Sequence, residues 1–209
     1  MSISNPKQPC LTSTARGMLA CMMLALLAGC SAMSRHAAAP SAAAAGGAPP
    51  SADEVAAVEA MKSGRRDDAL ARFKQLTAEH PDLAAAFIDL GLLQLDAGDA
   101  KAAAAAFERA VQLAPQRPEA YNGLGIAYRE LGRFQDAEAA YLKALGCAPD
   151  YRNAHLNLGI LYDIYLDRPQ DALAHYQRYK ALQDDDGSKV DTWIAAIKLA
   201  QAKRKEQGP

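Results

Sequence analysis

Tyr121-Asn122-Gly123-Leu124-Gly125-Ile126-Ala127-Tyr128 is the stretch on which the fold turns. Its Leu124-Gly125 pair stands 34 residues after Leu90-Gly91 and 34 before Leu158-Gly159. Other positions keep the same phase. Ala69, Ala103 and Ala137 recur at that interval, as do Phe73, Phe107 and Tyr141, and Pro81, Pro115 and Pro149. Within each unit the bulky and small residues fall at i, i+3, i+4 and i+7, which is one face of a helix: Phe87, Leu90, Gly91 and Gln94; Tyr121, Leu124, Gly125 and Tyr128; His155, Leu158, Gly159 and Tyr162. Glycine on that face lets a second helix approach closely. Ala103 and Ala137 serve the same purpose from the second helix, and Phe107 and Tyr141 fill the space between units. Gly98 and Gly132 mark the turn after the first helix, Asp99 caps the next one, and Pro115 and Pro149 end the second.

A fixed 34-residue period carried by these residue types resembles the tetratricopeptide repeat, a helix–turn–helix unit. The resemblance covers residues 50 to about 185. It implies an all-α fold, a right-handed superhelical array of hairpins. Three full repeats fall at 84–117, 118–151 and 152–186, after a degenerate one at 50–83. The degenerate unit keeps Gly64, Ala69, Phe73 and Pro81, with Asp53, Ala56 and Ala57 in place of the aromatic–Leu–Gly signature, as befits a terminal unit. The last repeat is one residue longer, because Ala172 and Tyr176 lie 35 after Ala137 and Tyr141. The insertion is expected near Leu166, at the turn, where it costs least. Tyr179 stands where Ala110 and Ala144 stood, so packing there must differ. Val190, Trp193, Ile194 and Ile197 form an apolar stripe at helical spacing, predicting a final helix over 189–205 that docks on the last repeat as a cap within 187–209.

Upstream, Leu27-Ala28-Gly29-Cys30 ends a segment with a positive start (Lys7, Arg16), no acidic residue and an apolar core from Met18 to Ala28. That core is shorter than a membrane-spanning helix. The layout resembles a bacterial lipoprotein signal peptide. The resemblance implies cleavage after Gly29, lipidation of Cys30, and, through Ser31, delivery to the outer membrane facing the periplasm. Residues 31–50, rich in Ala, Ser, Pro and Gly, read as a flexible tether.

The chain carries 23 basic and 24 acidic residues. Without the leader the balance is about −3, which is no footprint for nucleic acid. With Cys10 and Cys21 in the leader and Cys30 lipidated, Cys147 is expected to be a lone thiol, most safely buried, with an intermolecular disulfide as the alternative. His36, His80, His155 and His175 are scattered without metal-ligand spacing, and His155 sits at a packing position. No nucleophile elbow or phosphate loop occurs. Asp184-Asp185-Asp186-Gly187 lacks the ligand alternation of a calcium loop and reads as a solvated turn. The expectation is a chain with no catalytic residues, cofactor or metal. Asp89, Glu119 and Asp163 are the poor acid–base candidates that remain.

In the resembled family, partner peptides lie on the face formed by the first helices. Its groove positions fall on Ile88, Asp89 and Leu92, on Glu119, Asn122, Gly123, Ile126 and Arg129, and on Asn153, Asn157, Ile160 and Asp163. Asn122 and Asn157 offer both donor and acceptor to a peptide main chain. Leu92, Ile126 and Ile160 offer apolar contact. The family's clamp for a terminal carboxylate needs lysine and arginine at positions that here carry Ile88, Leu92, Gly123, Asn153 and Asn157, so that specialisation is not expected. The chain is expected to be a membrane-anchored scaffold lipoprotein for a protein or peptide partner. Pilus or secretin assembly comes first, and wall-enzyme scaffolding, outer-membrane transport or self-association are the alternatives.

Overall fold

Each helix begins and ends where the sequence supplies the chemistry. In the computed structural model, which describes residues 51–182 and 188–206 without the side chains of 188, 204 and 205, the helices are α1 Ala52–Lys62, α2 Arg66–Glu79, α3 Ala84–Asp96, α4 Ala100–Leu113, α5 Pro118–Glu130, α6 Phe134–Cys147, α7 Arg152–Ile160, α8 Pro169–Ala181 and α9 Ser188–Glu206. A π-helical turn, Leu161–Tyr165, continues α7. Ser51 opens α1 with a reciprocal cap: its Oγ accepts from the Glu54 N–H at 3.2 Å, and the Glu54 carboxylate accepts from the Ser51 N–H at 2.8 Å. Asp99 caps α4 by accepting from the Ala102 N–H at 2.9 Å. Pro118 and Pro169 occupy the first turns of α5 and α8, where their missing N–H costs nothing.

The helices pack as consecutive hairpins, α1–α2, α3–α4, α5–α6 and α7–α8, with α9 against α8. Gly64, Gly98 and Gly132 make the first three turns with φ of 71°, 78° and 73°, a left-handed geometry that a side chain resists. A backbone bond spanning five residues closes each: Arg65 N–H to Ala60, Asp99 to Gln94, Arg133 to Tyr128. In the fourth hairpin Asp167 takes the left-handed position with φ 48°. The closing bond there, Arg168 N–H to Tyr162, spans six. Leu158, Leu161 and Tyr162 keep the inward register of Leu124, Ala127 and Tyr128. The extra residue enters only after Tyr162, as the widened turn that continues the helix. Its uptake therefore begins upstream of the expected site near Leu166.

Four rings from the second helices, Phe73, Phe107, Tyr141 and Tyr176, are fully buried. Burying each contributes about 2–3 kcal/mol. They fit because the facing residue is small. A Cβ built at Gly91 falls 2.8 Å from the Phe107 ring, one at Gly125 falls 2.4 Å from Tyr141, and one at Gly159 falls 2.4 Å from Tyr176. Phe107 also reaches forward to the next unit, where a Cβ at Gly123 would lie 2.2 Å away. Ala57, fully buried, holds the glycine's place in the degenerate first hairpin. Ala103 and Ala137 are likewise fully buried. Tyr179, at the former alanine position, is half-buried with the Arg152 guanidinium 5.7 Å from its ring centroid. From α9, Val190, Ile194 and Ile197 join the core around Tyr176 and Leu158. Trp193 stays 37% exposed, its ring 5.4 Å from Tyr176.

Cys147 is half-buried with its sulfur 3.5 Å from the Pro115 carbonyl oxygen. It is disulfide-bonded, which corrects the expectation of a lone thiol. Every described residue belongs to one compact unit. The leader, Cys30, the tether with His36, and the Asp184–Gly187 turn lie outside the described residues. Among the described residues, no helix is long and apolar enough to cross a membrane.

Candidate functional site

The sequence-predicted site residues fall on α3, α5, α7 and the π turn. On α3, Leu92 is 44% exposed and Asp89 is half-buried. Burial raises the Asp89 pKa, and the Arg117 charge opposes that shift. Ile88 is buried and belongs to the core around Phe107. Gly123 is buried too, pressed against Phe107. These two projected positions pack the array together instead of lining its open face.

On α5 and α7 the two asparagines meet each other. Asn157 Nδ2 donates to Asn122 Oδ1 at 2.9 Å. Asn122 is buried and Asn157 half-buried, so this bond links neighbouring first helices. What Asn157 leaves open is what a ligand would meet. Ile126 and Ile160 are half-buried and pack on the core that holds Tyr141, Leu158 and Tyr176, giving a shallow apolar floor. Beside them Arg129 is largely covered, with 15% of its side chain exposed and Nη2 3.0 Å from Glu130 Oε1. Its Nε is buried with no hydrogen-bond partner among the described residues, and neither the Tyr141 hydroxyl nor Gln94 Oε1 has one. Burial pushes the Tyr141 phenol far up, against the opposing pull of Arg129. Glu119 and Asn153 are exposed. Asp163 accepts from the Tyr176 hydroxyl at 3.4 Å.

A second set of polar links was not legible in the repeat pattern. The Tyr128 hydroxyl donates to Glu108 at 2.8 Å and the Tyr162 hydroxyl to Glu138 at 2.7 Å, each joining a first helix to the preceding second helix. Guanidinium groups cover both rings, Arg133 at 4.1 Å and Arg168 at 4.3 Å. His155 and His175 also pair, Nδ1 to Nδ1 at 3.0 Å. His155 Nε2 lies 2.9 Å from the Pro149 carbonyl and must carry the proton. Its Nδ1 then accepts from His175 Nδ1–H. Burial, then the neighbouring His155, lowers the His175 pKa to about 4. His155 is therefore a packed, bonded imidazole, as its repeat position predicted. Among the described residues, no group of His, Cys, Asp and Glu is placed to hold a metal ion.

The family model described as tetratricopeptide repeat matches residues 55–118, 88–152 and 122–187 in overlapping pairs of units. No curated protein matches the chain. Solved structures do. A crystal structure of MamA protein aligns with TM-score 0.63 at 22% identity, covering 72% of this chain and 81% of that one. TTC0263, a thermophilic repeat protein of the same family in Thermus thermophilus, aligns with TM-score 0.60 at 24% identity over 71% and 81%. Pseudomonas aeruginosa pilF aligns with TM-score 0.63 at 16% identity over 71% and 67%. At these identities the likeness is one of fold.

Proposed function

The chain belongs to the tetratricopeptide repeat family, and from that premise we propose that it is a membrane-anchored adaptor holding a segment of a partner protein along α3, α5 and α7. The observation that carries the reading is Arg129: a nearly covered guanidinium whose Nε–H has no acceptor among the described residues, set beside Ile126 and Ile160. A buried donor without a partner is costly, and a peptide carbonyl or carboxylate laid on the isoleucine floor would satisfy it. Leu92 extends the apolar contact and Asn157 supplies amide contacts. Anchoring rests on Cys30 and its processing box. Two or more acyl chains hold a protein stably at a bilayer, and tethering raises the local concentration of what the array binds. The outer membrane, its periplasmic side, and assembly of a pilus or secretin are the setting this reading favours.

One experiment tests both parts. Full-length chain is affinity-purified from detergent-extracted membranes as wild type, Leu92→Asp and Cys30→Ala, and mass spectrometry reads the intact chain and whatever co-purifies. The expected wild type starts at Cys30 with added acyl mass, and Cys30→Ala lacks that mass. Leu92→Asp, exposed and harmless to the core, loses the co-purifying protein. An unacylated wild type would sink the anchor, and a partner retained by Leu92→Asp would sink the groove.

A further inference from the structure

The extra residue of the last hairpin builds a cavity. Between the π turn, the start of α8 and the flank of α9 lies a space of about 290 Å³ whose walls include Asp163, Asp167, Trp193, Ile197 and Gln201. It lies at the end of the row that runs Asn157, Ile160, Asp163 along α7 and its continuation. The insertion shapes it directly: the widened turn carries Asp163, and the displaced left-handed position carries Asp167. Among the described residues neither carboxylate has a cationic partner, whereas Asp171 nearby is taken by Arg168 at 2.7 Å. The Gln201 Nε2 is buried with no hydrogen-bond partner among those residues.

We propose that this cavity receives the arginine or lysine side chain of the peptide held along the first helices. This deepens the adaptor reading and rests on it. Carboxylates beside an indole attract a cation by charge and through the ring face. Ile197 and its alanine neighbours on α9 suit an aliphatic stem beneath a charged head. The Gln201 amide finds an acceptor in the main-chain carbonyl of the same residue, which a bare cation does not supply. A calcium ion needs six or more oxygen ligands, and this apolar, indole-walled space does not gather them. An acidic side chain would meet two like charges.

Trp193 is the one tryptophan in the sequence, so its emission reports this cavity directly. Full-length wild-type protein is titrated with acetyl-Gly-Arg-Gly-amide and with the citrulline analogue, which keeps the shape and loses the charge. The expected result is a saturable Trp193 response to the arginine peptide, weakened by salt. The citrulline peptide binds at least about tenfold more weakly, as does the arginine peptide to Asp163→Asn/Asp167→Asn. No response up to about 10 mM, or equal affinity for the two peptides, overturns the proposal without recourse to any variant. The adaptor reading fails separately, through retention of a partner by Leu92→Asp. A captured partner with a silent Trp193 would defeat the cavity alone.

Discussion

At the scale of single residues, the array is held by rings seated against missing side chains. The Tyr141 ring is fully buried and leaves no room for a methyl group at Gly125, where the built Cβ lies 2.4 Å from it. Gly125→Ala is therefore expected to lower unfolding free energy by about 1–3 kcal/mol. Gly146, on α6, has nothing within 4 Å of its built Cβ, and Gly146→Ala is expected to raise stability by about 0.5–1 kcal/mol. Urea unfolding of the two variants checks the pair, and equal shifts would show that packing against Tyr141 is not the cause. The phase of Gly91, Gly125 and Gly159 made these seats legible in the sequence, because every unit repeats the same demand. Gly123 was not legible as a seat. Its counterparts 34 residues away are Asp89 and Asn157, so the forward reach of Phe107 has no periodic signature.

At the scale of elements, helix starts, turns and the capping helix follow from residue types placed at fixed offsets, and the helix boundaries fall within a few residues of them. The links between helices were harder to read. Asn157 and Asn122 are 35 residues apart, one off the repeat, and the Tyr–Glu links span 20 and 24 residues. Periodicity says which face a residue lies on, not which side chain meets it across the next unit. The histidine pair joining α7 to α8 has a consequence for acid stability. His175 has a folded pKa lowered to about 4 by burial first and then by His155, with Asp171 opposing and Arg168 adding to the shift. The unfolded chain, at the ordinary value near 6.5, takes up the proton first. Stability from this pair is thus fully present above about pH 6.5 and is lost as pH falls toward 4. His175→Asn keeps a donor toward His155 and does not titrate. Its urea midpoint is expected to change less between pH 6.5 and 4.5 than that of the wild type, and parallel curves would contradict the assignment.

At the scale of the whole molecule, two stretches of the sequence carry separate messages. One is the address we propose for residues 1–29 with Cys30, which rests on their resemblance to lipoprotein leaders. The other is a repeat array, legible by its period. The face we propose to hold a partner was only partly legible. The sequence places Leu92, Asn122, Ile126, Arg129, Asn157 and Ile160 on first helices, but it does not tell that Asn122 is spent on Asn157 or that Arg129 keeps an Nε–H with no partner among the described residues. Those are properties of packing between units. The central claim is that a partner is held by the first helices, and site-specific photocrosslinking in the native host tests it most directly. A photoreactive residue is placed in the full chain at Leu92, Glu119 or Asn153, exposed on α3, α5 and α7, or at Ala105, Ala139 or Ala174, exposed on α4, α6 and α8. The account predicts adducts to a common partner protein from the first set and none from the second; adducts confined to the second set, or from neither, would contradict it.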